Sequence, residues 1–491
     1  MKLVNWKGRC AMASPDVELI EGTRHQMPRV LRMPALVFFG LAYMVPLALW
    51  TTYGIVTTST SGHLPAAYVV TTLAMLLTAY SYGRMVVAYP VAGSAYAYTR
   101  GAFGGKVGFL SGWVLMLDYM LLPMICYLAI GLYMHDYAPV VPFSVWVLGA
   151  VAAATVLNIL GIKLVSRVNL TIVSAQFIFI GVFISLSVAQ LLGAPEVPSL
   201  TASFVSADLD FQALMGGAAI LALAFIGFDA VSTLSEETID PQVRIPRAIL
   251  LCAGVAGAFY ILQSYLGHLV FPDFARFESV DLATVDVMKS VGGDFLNTFF
   301  ISAYVAGCFA CALAGQASVS RILFAMGRDG VLPKRVFGQI HPRYGTPVGS
   351  ILVVGLTGVS ALFVSLTTAS SLISFGALAA FSLVNLSVVK HYVIDRKHRS
   401  PSDLLKYLAV PLLGVAFTLY LWTSLSGNTF VIGLAWLAIG VAYLLVLTRG
   451  LTKEPPAMHM EEMDTNLSIQ SDLPDDASDR DGSAEGPLVT R

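Results

Sequence analysis

Long apolar runs separated by short polar breaks fill the chain from Met33 to Leu447. A helix that crosses the hydrocarbon core of a bilayer needs about 20 consecutive apolar residues. Runs of that length predict twelve spans, at 33–57, 66–87, 107–135, 143–161, 168–192, 214–235, 247–270, 295–320, 348–366, 369–393, 405–424 and 429–447. The pattern predicts an all-α membrane protein with three parts: a polar N-terminal segment 1–32, a transmembrane domain 33–447, and a tail 448–491. From Glu454 onward the tail is acidic and short of large apolar groups, the composition of a disordered segment. The longest inner break, Arg321 to Thr346, separates spans eight and nine. The outer breaks Pro195–Phe211 and Phe271–Asp294 hold enough Phe, Val and Leu to pack on the outer mouth.

Composition agrees with this reading. Hydrophobic residues are 56% of the 491 and charged residues only 12%, with a mean hydropathy of +0.75. A soluble chain of this length does not sustain that balance, so the bilayer is its solvent. Orientation follows from the basic residues. With the N-terminus in the cytoplasm, 27 of the 29 Lys and Arg fall on the inner side, and only Arg276 and Lys289 face out. Both termini are therefore expected to be cytoplasmic, in a multi-pass protein of the inner (plasma) membrane. No secretory signal is expected ahead of the first span, because residues 1–32 are polar and mixed in charge. The formal net charge of −1 gives no reason to expect a nucleic-acid partner.

Glycine and proline inside an apolar run mark places where a membrane helix can break. Span one contains Gly40-Leu-Ala-Tyr-Met-Val-Pro46, and span six contains Gly216-Gly217 followed by Phe225-Ile-Gly-Phe-Asp229. The two lie five spans apart, the spacing of a five-plus-five inverted repeat with spans eleven and twelve outside it.

A carboxylate in the hydrocarbon layer costs several kcal/mol unless paired, wetted or protonated, so deep acids are functional candidates. Two acids sit well inside spans: Asp118 in span three and Asp229 in span six. Each is a candidate for proton coupling or for an ammonium partner, and the alternative for each is a structural carboxylate bonded across helices. Asp229 ranks first because it stands at the expected break of span six. Glu236 and Glu237, where span six leaves the membrane, are either solvated charges or half of a cytoplasmic gate with Arg84 or Arg321. Span five offers Asn169, Ser174 and Gln176, which supply hydrogen bonds but no charge. Tyr43, Trp50, Tyr53, Tyr119, Phe225 and Phe228 flank the breaks or Asp118, where aromatic faces would attract an ammonium group. The same rings also serve as interfacial anchors.

Enzyme signatures are missing from the sequence. The eight histidines lack metal-ligand spacing, and Gly101-Ala-Phe-Gly-Gly-Lys106 is followed by Val107 where a phosphate loop needs Ser or Thr. No cofactor or metal is expected. Cys308 and Cys311 form a C-x-x-C, but within a lipid-buried helix the plain expectation is small packing residues.

Longer motifs add a resemblance. Gly227-Phe-Asp-Ala-Val-Ser-Thr-Leu-Ser-Glu-Glu-Thr238 with Ile245-Pro-Arg-Ala-Ile249 is one such stretch. Ser320-Arg-Ile-Leu-Phe-Ala-Met-Gly-Arg-Asp-Gly-Val-Leu-Pro333 with His341-Pro-Arg-Tyr-Gly-Thr-Pro347 is another. Both resemble the amino acid-polyamine-organocation superfamily of transporters. Within that superfamily the bacterial putrescine importers share Ser61-Gly-His-Leu-Pro65, Ala92-Gly-Ser-Ala-Tyr96, Leu117-Asp-Tyr119 and Ser374-Phe-Gly-Ala-Leu378, or near variants. The resemblance implies a LeuT-like fold, alternating access, and proton-coupled import of an amino acid or polyamine. It places the amine between spans one, three, six, eight and ten. Carried over by motif, Tyr43, Met44, Val45 and Pro46, with Gly227, Phe228 and Asp229, would contact substrate, and Asp229 would serve gating or protonation.

Two departures qualify the substrate. Gln176 stands where some amino-acid members carry a lysine. Trp50-Thr-Thr-Tyr-Gly-Ile-Val56 puts Thr51 where the putrescine importers carry an acid, which moves an amino acid or monoamine slightly ahead of a diamine. A putrescine-specific importer and a non-transporting sensor of the same fold are the alternatives.

Overall fold

A computed structural model describes residues 31–90, 94–160, 165–194, 199–206, 208–236, 238–328 and 330–456; for 165–170, 236 and 325 it describes the backbone alone. The expectations for segment 1–30, for the acidic tail beyond 456, for Cys10 and for Glu237 lie outside the described residues, as do those for the side chains of Asn169 and Glu236.

Among the described residues the structure is helical throughout, with one isolated parallel bridge, Leu31 to Thr238. Through it the Ile239 amide donates to the Leu31 carbonyl at 3.1 Å, which fastens the start of span one to the end of span six. Span one is α1 (Met33–Tyr43) and α2 (Tyr53–Ser59), joined through a 3-10 turn at Ala48–Thr51. Span two is α3 (Leu64–Ala88). A short helix α4 (Ser94–Phe103) then leads into span three, α5 (Gly105–Tyr137). Spans four and five are α6 (Phe143–Leu160) and α7 (Val165–Gly193). Span six is α8 (Phe211–Leu221) followed by 3-10 segments at Ala222–Phe225 and Asp229–Glu236, and span seven is α9 (Pro241–Val270). Span eight belongs to α10 (Ala283–Arg328), span nine is α11 (Val348–Val359), and span ten is α12 (Leu366–Val388). Span eleven joins α13 (Pro401–Leu404) to α14 (Val410–Thr423), and span twelve is α15 (Gly427–Leu447).

Eleven of these segments are long and apolar enough to cross a bilayer, and Val348–Leu362 is a shorter apolar twelfth. The twelve expected spans are all present. Span nine is the short one: its 15 residues rise only about 22 Å at 1.5 Å each. Two helices were not expected. The break between spans two and three contains α4. The break before span eight contains the first turns of α10, up to a kink at Gly292–Gly293, where Gly293 has φ +61°. The same break packs against the second half of span one, with the Val280 carbonyl pressed against Gly54 of α2.

Small residues let the helices approach closely. Gly83 of α3 lies on Pro246 of α9, Gly315 of α10 on Pro123 of α5, and Gly358 of α11 on Tyr127 of α5. Span twelve is fixed to span three by a reciprocal pair: Trp113 Nε1 donates to the Trp436 carbonyl and Trp436 Nε1 to the Trp113 carbonyl, both at 2.9 Å. Each indole thereby satisfies its N–H within an apolar layer, and the stacked rings lie 5.0 Å apart.

Candidate functional site

Both expected breaks exist, and they touch. In span one the α-helix ends at Tyr43, Val45 takes φ +51°, and Pro46 supplies no backbone N–H to carry the helix on. In span six the break is Ile226–Phe228, with Gly227 at φ +119°, a conformation a side chain resists. A Cβ at Gly227 would lie 2.6 Å from the Tyr43 ring and 3.1 Å from the Met44 nitrogen, so glycine lets the two broken backbones meet. Gly40 and Gly216-Gly217 are not break points. They sit within helices, Gly40 against Cys252 and Val231, Gly217 against Thr60 and Val56.

Broken helices leave carbonyls to be satisfied. The Tyr260 hydroxyl, from span seven, reaches one from each break, the Ala224 carbonyl at 2.9 Å and the Met44 carbonyl at 3.3 Å. Sequence reasoning missed Tyr260, whose only signal is a polar tip in an otherwise apolar run.

The two deep acids are buried, and their surroundings differ. Asp229 opens the second 3-10 segment of span six. One carboxyl oxygen accepts from the Gly227 amide at 3.2 Å, and the other accepts from Ser94 Oγ at 2.9 Å. Ser94 begins α4, so the short unexpected helix delivers the partner. The Ala92-Gly-Ser-Ala-Tyr96 motif was the signal, although nothing in it told of a contact 135 residues away.

Asp118 lies in the middle of α5, 1% exposed, and its Oδ1 has no hydrogen-bond partner among the described residues. Gly376 of α12 makes room beside it: a Cβ there would stand 3.3 Å from Asp118 Cβ and 2.9 Å from the Val114 carbonyl. Asp118 is within electrostatic range of Asp229, and Tyr119 is within range of both acids and of Tyr43 and Tyr82. Spans one, two, three and six thus converge on one polar neighbourhood, which the ring of span ten's Phe381 borders through Tyr82.

The aromatic residues do not form a single wall around it. They divide into two clusters. In the first, Trp50 is buried: its Nε1 donates to Gln263 Oε1 at 3.3 Å, and its carbonyl accepts from Thr284 Oγ1 at 3.1 Å. Its ring contacts Tyr53, Phe183 and Phe300, with centroids 4.9, 5.1 and 6.2 Å away. Thr51 is paired to the Tyr304 hydroxyl at 2.7 Å. Phe225 meets Tyr260 edge-on at 5.5 Å. In the second cluster Phe228 packs with Tyr82 at 5.6 Å and Phe381 at 5.3 Å, and Tyr98 of α4 meets Tyr82 at 5.7 Å.

Beside the span-one break a cleft opens, lined among others by Tyr43, Val45, Gln176, Gly307 and Cys311. The Gln176 amide of span five presses on Gly307 of span eight, and its Oε1 has no hydrogen-bond partner among the described residues. Of the expected gate, Arg84 is half-buried, with its guanidinium 4.8 Å from the Tyr80 ring and 5.7 Å from that of Tyr407. Arg321 is a half-buried residue of α10. The glutamate half of that gate lies outside the described residues. Among the described residues no group of three or more His, Cys, Asp or Glu is arranged to hold a metal ion.

Comparison with known proteins identifies this architecture. Residues 35–447 match the amino acid permease family model. A low-affinity putrescine importer of Escherichia coli K12 is 38% identical over 438 residues, which cover 88% of this chain and 97% of the relative. A branched-chain amino acid permease of Bacillus subtilis is 29% identical over 410 residues, 79% of this chain and 86% of the relative. A methylthioribose transporter of the same species is 27% identical over 447 residues, 86% and 94% of the two chains. Twelve helical spans, two of them broken where they touch, and a match that runs from span one to span twelve lead to one assignment: the chain belongs to the amino acid permease family and is a multi-pass membrane transporter, not an enzyme.

Proposed function

We propose that the chain is a secondary-active importer of a small primary amine, with a diamine such as putrescine the first candidate, and that entry is coupled to a proton. The observation that carries this reading is the carboxyl of Asp118, buried at mid-span with an oxygen that has no hydrogen-bond partner among the described residues, within electrostatic range of Asp229 at the span-six break. A buried acceptor left alone is costly, and an ammonium group offers the three donors and the charge that would satisfy it. Asp229 is the second acid, already bonded at both oxygens, and is better suited to report protonation to span six than to hold substrate. The importer among its relatives supports a polyamine.

An amino acid is the second reading. Thr51 favours it, because the outer half of span one carries a neutral hydroxyl paired with Tyr304 instead of a second anion. In the proposed cycle the amine lies among Tyr43, Asp118, Tyr119 and the break at Gly227, the Trp50 and Phe228 seals open in turn, and both termini face the cytoplasm of a cell whose inner membrane holds the protein.

Uptake of radiolabelled putrescine into proteoliposomes, with and without an imposed inward proton gradient, tests the reading. Gradient-stimulated uptake, displaced by unlabelled putrescine more strongly than by neutral amino acids, is expected. Binding without flux would make the chain a sensor, and stronger displacement by amino acids would select the second reading. For orientation, an impermeant thiol reagent on intact cells should label cysteines placed near Arg276 and Lys289 but not near Arg328 or Lys397.

A further inference from the structure

The chain does not run straight out of span twelve. Arg449, Gly450 and Leu451 take φ of +51°, +72° and +66°, and the Gly450 amide returns to the Leu445 carbonyl at 2.8 Å, so the segment turns back over the end of α15. Lys106 Nζ then donates to the Leu451 carbonyl at 2.8 Å, and Pro455 is buried on Gly105, where a Cβ would lie 3.3 Å from its ring. Gly105 and Lys106 begin α5, so residues 448–456 form a strap from span twelve to span three. The break between spans eight and nine is fixed to the same end of α15. The Tyr443 hydroxyl donates to the Val331 carbonyl, and Val331 and Leu444 share an apolar cluster against which Leu332, Phe337 and Leu447 pack. Two compact turns then display the cations of that break. The Gly338 amide donates to the Lys334 carbonyl at 3.0 Å in one, and the His341 amide to the Thr346 carbonyl at 2.9 Å in the other. Lys334, Arg335 and Arg343 are exposed, and no acid lies between Gly330 and Pro347. The break between spans ten and eleven is also basic, but it holds acids of its own: Lys390 pairs with Asp395, and His398 lies 3.6 Å from Asp403.

We propose that the turns carrying Lys334, Arg335 and Arg343 are a docking surface for the acidic segment 457–491 of the same chain, started towards it by the strap. Charge complementarity selects that occupant, since the segment carries nine Asp and Glu against two Arg. Its first acids, Glu461, Glu462 and Asp464, follow Pro456 closely. Five to eight residues reach up to about 17–29 Å, and neighbouring helices are only about 8–10 Å apart. Exposed ion pairs are individually weak. Tethering nevertheless raises the effective concentration of the segment to the order of mM, so contacts too weak to hold a free peptide are populated within one chain. Such contacts are screened by salt, which gives the docking a signature that apolar packing lacks.

The test is cross-linking of the full chain with a water-soluble carbodiimide, which joins a lysine amine directly to a carboxyl in contact with it, read by peptide mass spectrometry. Lys334 is the one lysine of the turns, and 457–491 contains none. Links from Lys334 to acids of that segment are expected, and they should be lost in about 1 M NaCl, where the Debye length is about 3 Å. Arg335→Glu combined with Arg343→Glu changes only exposed side chains and should abolish the links, whereas Lys397→Glu with Arg399→Glu should leave them. Acids of the segment joined to Lys397 or Lys406 and not to Lys334, or joined to no lysine, overturn the docking. In a mixture of isotopically light and heavy chains the links should join like to like; light–heavy links would make the occupant a second copy. Nanodiscs of phosphatidylcholine, with or without phosphatidylglycerol, should give the same yield. Loss of the links in the anionic discs would assign the turns to lipid headgroups and overturn the proposal.

Discussion

Asp118→Asn isolates the charge on which the proposed amine site depends. The two side chains are nearly isosteric, and Asp118 is 1% exposed against the Gly376 backbone, so asparagine fits the same space without disturbing spans three and ten. Oδ1 has no hydrogen-bond partner among the described residues, so the substitution breaks no bond to that oxygen, and the folded protein is expected at wild-type yield. With substrate bound, the change replaces an ammonium–carboxylate contact with an ammonium–amide one. A hydrogen bond to a charged group is worth about 1.5–3 kcal/mol, which corresponds to about 10- to 150-fold in affinity. The loss should therefore appear as a rise in the KM of putrescine uptake of roughly that size, measured in proteoliposomes with matched protein incorporation. A KM unchanged within about threefold in Asp118→Asn would be less than 1 kcal/mol and would refute the assignment, leaving the unpaired carboxyl without a role.

Five other substitutions test neighbouring parts of the mechanism. Asp229→Asn keeps a side-chain acceptor for the Gly227 amide, so it should insert normally yet lose most of the gradient stimulation of uptake; wild-type gradient dependence would move coupling to Asp118. Thr51→Asp breaks a 2.7 Å pair with Tyr304 and adds an anion, and should raise displacement by putrescine relative to neutral amino acids in competition uptake. Gly227→Ala forces a Cβ to 2.6 Å from the Tyr43 ring at φ +119° and should abolish uptake, whereas Gly216→Ala, which meets only the Ser424 carbonyl at 3.4 Å, should keep it and gain about 1 kcal/mol of helix propensity in thermal unfolding. Tyr260→Phe removes the hydroxyl shared by the Ala224 and Met44 carbonyls, and should lower thermal stability by about 1–3 kcal/mol, the cost of leaving a buried carbonyl unpaired.

How far the sequence reaches is set by the range over which each cause acts. Span count and the two breaks depend on local composition, apolar length in one case and Gly or Pro in the other, and were legible to within a few residues. The choice among glycines was not. Gly216-Gly217 and Gly227 look alike in the chain, and only the approach of Tyr43 from span one makes Gly227 the one that must adopt positive φ. Helix α4 escaped because Ser94–Phe103 mixes serine, threonine and arginine with its rings and is too short to read as a span. The surroundings of the two acids were not legible for the same reason. Position at a break put Asp229 ahead, but its partner Ser94 comes from α4, and that the Oδ1 of Asp118 has no hydrogen-bond partner among the described residues depends on how distant segments pack.

Where the charges stand relative to the seals bears on how a cycle could be driven. In the proposed orientation the outer seal, around Trp50, is built of neutral groups: Trp50 with Gln263, its carbonyl with Thr284, and Thr51 with Tyr304. At about 0.5–1.5 kcal/mol each, three such bonds hold the outer half of span one by roughly 2–4 kcal/mol. None of these pairs involves a carboxyl, so protonating one of the two deep acids does not itself break a bond of this seal. The inner seal differs, since Phe228 immediately precedes Asp229, whose carboxyl fastens the Gly227 amide and Ser94. Neutralising Asp229 reduces charge-assisted bonds to ordinary ones, at the joint that aims Phe228 into Tyr82 and Phe381. In the proposed cycle, then, proton and amine act on different elements, the proton on span six through Asp229 and the amine on span three through Asp118. A ligand shifts an equilibrium only by its differential affinity for the two states. Two acids within electrostatic range of each other supply that differential: an ammonium held by Asp118 lowers the local negative charge, which changes the proton affinity of Asp229 and with it the strength of the inner seal.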